Sequence, residues 1–199
     1  MLASITPLGE RGRSSHWGVT VAFFVAGSTL AGAALGALAG ELGRLTWPGT
    51  SASGTAQVAV VAAALALGLV FDLAPGGLRL PTVRRQVNEA WLGEYRGWVY
   101  GLGFGLQLGV GVSTIVTTSA VYVALIAAWV VADPVLGAVV AGTFGLIRGA
   151  TLLAAASATD AAHLIALHSR IDAWREPGRR LALSLQAALL VLAITAIVV

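Results

Sequence analysis

Residues 97–132 read GWVYGLGFGLQLGVGVSTIVTTSAVYVALIAAWVVA, and no charge falls between Arg96 and Asp133. An uncharged apolar run of that length is a membrane span rather than a soluble core helix. It is also too long for one simple crossing. A straight helix from Trp98 to Trp129 would rise roughly 46 Å against a hydrocarbon core of about 30 Å, so the segment must tilt, extend into the headgroups or break. Its first half carries Gly97, Gly101, Gly105 and Gly109 at four-residue spacing, a stripe where a second helix backbone can approach closely. Its second half bears Ser113, Thr114, Thr117, Thr118 and Ser119, hydroxyls better suited to a helix interface or a cavity than to lipid.

The rest of the chain agrees with this reading. Of 199 residues, 57% are hydrophobic and 11% charged, outside the usual range of soluble domains. Four further spans are expected at about 17–39, 56–74, 135–157 and 181–199, making one all-α membrane bundle of five transmembrane helices. The stripe device recurs as Gly32, Gly36 and Gly40 in the first span and as Gly137, Ala141, Gly145 and Gly149 in the fourth. Residues 1–16 read as a short basic arm without the shape of a cleavable signal peptide. Segments 81–96 and 159–176 place apolar and charged residues on opposite helical faces, as surface helices at a membrane do; Pro177-Gly178 is expected to stop the second.

All twelve basic residues are arginine. In a five-span topology ten of them fall on one side, which puts the N-terminus in the cytoplasm and the C-terminus outside a bacterial-type inner membrane. The six tryptophans lie near span ends or on the surface helices, as an interfacial belt requires. Arginines confined to short loops beside spans indicate topology, not a nucleic-acid partner.

The run YGLGFGLQLGVGVST, residues 100–114, resembles a span of the CcdA/DsbD-type transmembrane family within the LysE-like transporter superfamily. There a Gly-rich segment leads into a Pro-Cys-x-x-Pro break, and Phe104, Gly105 and Leu106 match its start. Residues 142–149, GTFGLIRG, and residues 18–43 are similar to two further spans. The family proline falls near Val110 and its redox cysteine near Gly111. This chain has no cysteine, so thiol-disulfide transfer does not carry over. The resemblance implies a scaffold for solute passage or for protein association, with the family's first span reduced to the arm around Ser4 to Pro7.

Arg148 is the sharpest single residue, because a charge inside a span costs about 2.5–3.5 kcal/mol on insertion scales. It either faces a solute pathway or snorkels to the headgroups. Asp72, near the end of another span, is its expected counter-ion. Gln107 with Ser113, Thr114, Thr117 and Thr118 could coordinate a small solute or anion where the long helix is interrupted, or simply bond helix to helix. His163 and His168 stand five apart, which does not share a helical face, so no metal site is expected. No nucleophile triad, H-E-x-x-H, Walker loop or nucleotide fingerprint occurs; neither enzyme activity nor a cofactor is expected. Two functions remain: a small-solute permease, or a non-catalytic membrane subunit that binds a partner membrane protein or a second copy of itself.

Overall fold

A computed structural model describes residues 5–48, 54–74, 91–111 and 118–198; among these the chain is helical, with no strand. The arm is the first departure from expectation. Thr6 caps a short helix, α1 (Pro7–Gly12), by accepting from the Gly9 N–H at 3.1 Å, with Pro7 in the first turn where a missing N–H costs nothing. Ile5, Thr6 and Glu10 are buried, and Leu8 N–H donates to the Ala158 carbonyl. The basic arm is therefore a folded piece of the bundle's end.

Helix α2 (Trp17–Thr46) is the axis of the molecule. It continues past the expected end because Glu41 and Arg44, one turn apart, pair with each other at 2.6 Å. Along one flank runs α5 (Gly97–Gly109), with Gly101 against Thr20, Gly105 against Phe24 and Gly109 against Ser28, so the two helices are parallel. Along the other runs α7 (Pro134–Ala150), with Gly145 against Ser28, Ala141 against Gly32, Gly137 against Gly36 and Pro134 against Gly40, so that pair is antiparallel. A short turn, α4 (Trp91–Glu94), precedes α5, and a 3-10 helix (Thr151–Ser157) extends α7. Residues 81–90 of the first surface segment lie outside the described residues.

The long apolar stretch breaks. After Gly109 the chain leaves the helix, Gly111 takes a positive φ of 74°, and the next described helix is α6 (Ala120–Val130). Gly43 near the far end of α2 rests on Trp129, so α6 continues in the direction of α5. Helix α3 (Thr55–Leu73) lies antiparallel to α6: Gln57 near its start donates to the Val130 carbonyl, and Gly68 near its end faces Ser119.

The second correction is α8 (Ala161–Val198), one helix where a surface segment and a separate span were expected. Pro177 removes one backbone hydrogen bond and cannot tolerate the carbonyl four residues back. The helix passes it because Glu176 pairs forward with Arg180 at 3.0 Å, and Arg179 Nη2 donates to the Asp72 carbonyl of α3 at 2.8 Å.

Four described helices are long and apolar enough to cross a membrane: Trp17–Thr46, Thr55–Leu73, Pro134–Ser157 and Ala161–Val198. They fit a multi-pass membrane protein. Half-helices α5 and α6 are each too short alone.

Candidate functional site

A break in an apolar helix leaves the last carbonyls of the first half and the first N–H groups of the second without helical partners. In lipid those groups must be satisfied by protein or by water. Here each end receives a side chain of the opposite charge. Arg148, on the last turn of α7, sends Nη1 to the Leu108 carbonyl of α5 at 3.2 Å, and its guanidinium lies over the Phe144 ring at 5.8 Å. The carboxylate of Asp72, on the last turn of α3, accepts from the N–H of Ser119 at 3.1 Å, from its hydroxyl at 2.7 Å and from Thr118 Oγ1 at 3.2 Å, just before α6 begins. A cation at a helix C-terminus and an anion at an N-terminus each meet the favourable end of the macrodipole.

This arrangement replaces the expected Arg148–Asp72 ion pair. Among the described residues no ion pair joins the two. Each charge is satisfied by a half-helix end that the sequence did not reveal. Gln186 of α8 completes the Asp72 side, its Nε2 donating to Ser119 Oγ at 3.1 Å and to the Leu65 carbonyl at 3.2 Å. Gln107 is half-buried near the end of α5. Ser113, Thr114 and Thr117 lie outside the described residues.

The break stands beside a close approach of α2 to both α5 and α7. Ser28, fully buried, donates from Oγ to the Gly145 carbonyl at 2.7 Å, and its own carbonyl faces both Gly109 and Gly145. A Cβ added at Gly32, Gly36, Gly40, Gly105, Gly109, Gly137 or Gly145 would collide with a carbonyl oxygen of the neighbouring helix. At Gly97 the obstacle is Thr20 Oγ1, at Gly101 the Thr20 carbonyl, and at Gly149 the Ser28 Cβ. The void bounded by Gly32, Gly109, Gly111, Val121 and Phe144 measures about 10 Å³, about the lower limit for one water. An apolar cleft of about 240 Å³ opens between α3 and α6, lined by Leu67, Gly68, Phe71, Ser119 and Tyr122.

A second polar cluster escaped the sequence reading. Glu10 of α1 is fully buried and accepts from Tyr100 Oη at 2.5 and 2.6 Å, from Thr20 Oγ1 at 2.8 Å and from Arg13 Nη2 at 2.7 Å. Burial works against the charge of Arg13, yet hydrogen bonds to Glu10 and Tyr100 overcome it and raise its pKa further. One signal was available: Glu10 is the only acid in the first forty residues and stands one helical turn before Arg13.

The two helix histidines are occupied separately, His163 Nδ1 with Asp160 and His168 Nδ1 with the Leu164 carbonyl. Among the described residues no group of three His, Cys, Asp or Glu side chains could hold a metal ion. No protein-family model, curated protein or solved structure matches this chain. The likeness to the CcdA/DsbD-type family therefore rests on the residues quoted for it above.

Proposed function

We propose that the chain is a small-solute permease of LysE-like type, built on five spans of which the third is the broken pair α5–α6. Its N-terminus lies in the cytoplasm of an inner-membrane protein. The observation that carries this reading is the break itself, whose two ends are held by Arg148 and Asp72 from different helices. Discontinuous helices near the bilayer midplane serve transporters as solute sites because half-helix ends offer unsatisfied carbonyls and N–H groups to a ligand. A solute that competes for Leu108 or Ser119 would release Arg148 or Asp72, coupling its binding to movement of α7 or α3.

The test is flux from proteoliposomes loaded with labelled amino acids and small oxyanions. Wild-type protein should release at least one of them above empty-vesicle background. Arg148→Ala should lower that rate by roughly tenfold or more, the equivalent of one charge-assisted hydrogen bond. If Arg148→Ala and Gln107→Ala both transport like wild type, the assignment of the break as the pathway fails.

One observation favours a second reading, a partner-binding subunit without transport. Only 6% of the most apolar window of α8 is buried, and along the whole helix Ile165, Trp174, Leu181, Leu185 and Leu192 are exposed. A stable stoichiometric complex after mild solubilisation, together with no flux for any solute, would select it.

A further inference from the structure

Helix α1 lies across one end of the bundle, and what it covers leads to the break. Ile5, just before α1, is fully buried in a cluster with Val21, Phe24, Tyr100, Phe104 and Leu152. Three of these stand four positions from residues that build the break: Phe24 from Ser28 on α2, Phe104 from Leu108 on α5, and Leu152 from Arg148 where α7 passes into the 3-10 helix. Residues four apart on a helix share a face. Helices α2 and α5 start at the α1 end, and α7 runs toward it, since Ala158 beyond it meets Leu8. In each pair the cluster residue is therefore the one nearer α1. The cluster is an apolar layer about one turn thick between α1 and the break.

What holds α1 down is polar. Within the helix only Glu10 is buried, and its carboxylate accepts from Tyr100 of α5, Thr20 of α2 and Arg13. Two backbone bonds complete the attachment: the Leu8 N–H donates to the Ala158 carbonyl at 3.2 Å, and the Trp17 indole donates to the Ile5 carbonyl at 3.4 Å. The turn that folds α1 back on α2 passes through Ser14 at a φ of 54°, a left-handed conformation that a residue with a side chain adopts only at a cost. The strained turn favours release of α1, and the bonds to Glu10 oppose it. We infer that α1 is a strap closing the arm-end entry to the break, with Glu10 as its latch. The inference rests on the permease reading, in which a solute passes this end of the bundle to reach Leu108 and Arg148. When Tyr100 and Thr20 let go of Glu10, α1 swings about Ser14, Ile5 lifts off the apolar layer, and Leu152 meets water.

The chain has no cysteine, so one introduced thiol reports on one place. Leu152→Cys puts it under the strap, and Ala128→Cys puts it at a fully buried position of α6 toward the opposite end. Each is made in the full chain, reconstituted in lipid nanodiscs and followed by its rate of reaction with a charged maleimide. Adding Glu10→Gln should speed the Leu152→Cys thiol by about tenfold or more, the equivalent of one charge-assisted hydrogen bond, and leave the Ala128→Cys thiol as slow as before. Tyr100→Phe, which keeps the carboxylate with its Arg13 partner and the ring in the cluster, should speed the first thiol by about threefold, and it carries the test alone should Glu10→Gln not fold. In proteoliposomes either latch variant should release the transported solute faster than wild type. The strap is overturned if the Leu152→Cys thiol reacts no faster in either variant, or if both thiols speed together, which is general loosening. It is also overturned if wild type transports and the latch variants, with the thiol opened, transport no faster. Selective opening under α1 with no flux from any of the proteins would instead sink the permease reading and leave the latch standing.

Discussion

Helix α2 meets its neighbours glycine by glycine, with Gly27, Gly32, Gly36, Gly40 and Gly43 each lying against a carbonyl of α5, α7 or the α6 end. Helix α8 is longer, yet it reaches α3 through side chains, Gln186 to Leu65 and Arg179 to Asp72. A third of the most apolar window of α2 is buried, against 6% in α8. In lipid there is no hydrophobic gain from bringing two apolar helices together, so contact must come from close packing or from polar bonds. The two regions use one device each. Glycine costs about 1 kcal/mol relative to alanine inside a helix, a cost that only backbone approach can offset. Where the backbones stay apart, long polar side chains span the gap.

The sharpest way to break this comparison is to make one substitution in both regions. At Gly36 a new Cβ would meet the Gly137 carbonyl and the Ala141 Cβ, with another backbone behind them. Gly36→Ala is expected to destabilise the bundle by about 3 kcal/mol or more, as overpacking of rigid backbone does. Gly178 has nothing within 4 Å of an added Cβ. Gly178→Ala should stabilise α8 by up to about 1 kcal/mol through helix propensity alone. Unfolding in mixed micelles measures both, and two losses of similar size would show that α8 is packed as tightly as α2.

Next in size is Glu10, which ties α1 to α2 and α5. Glu10→Gln keeps the shape and removes the charge that Tyr100, Thr20 and Arg13 address. Arg13 remains about a quarter exposed, so solvent compensates part of its loss. A cost of about 2 kcal/mol is expected, against less than about 0.5 kcal/mol for Glu41→Gln in the exposed pair with Arg44. Equal costs would mean that the arm is an appendage and not part of the core.

What could be read from the sequence follows the same division. The stripes on α2, α5 and α7 repeat at helical spacing, and close approach is a property of the small residues themselves. The excess length of residues 97–132 required an adjustment, and the break at Gly109–Gly111 is one of the three that length alone allowed. The partners of Arg148 and Asp72 were not legible, because a half-helix end becomes a ligand for a charge only once the helix has broken. Glu10 was hidden for a related reason: its bond to Tyr100 spans ninety positions. Pro177-Gly178 misled because a proline signals a stop locally, while the pairs made by Glu176, Arg179 and Arg180 carry the helix through it.

The polar bridges of the α8 side are expected to be individually weak. Gln186→Leu removes two donated bonds, yet Ser119 keeps its bond to Asp72. The expected cost is about 0.6 kcal/mol, the average for interhelical hydrogen bonds in membranes. A cost several times larger would make Gln186 a keystone of the break.

The smallest effect is confined to the start of α8. Asp160 accepts from the backbone N–H of His163 at 2.8 Å and from its ring at 2.8 Å, and these bonds, the backbone one first, hold its pKa below the ordinary aspartate value of 3.8. A lowered folded value means that the unfolded turn binds the proton more readily. The contribution of the cap is therefore complete above 3.8 and disappears as pH falls through the lower folded value. Amide exchange at His163 and Leu164 should stay slow at neutral pH and quicken only in that acidic window, while the glycine-packed amides of α2 do not respond. In Asp160→Ala the first turn should exchange rapidly at every pH. Protection lost at or above the ordinary aspartate value would show that the carboxylate does not hold the turn. A response spreading into α2 would show that the two regions unfold together, and the division between them would no longer hold.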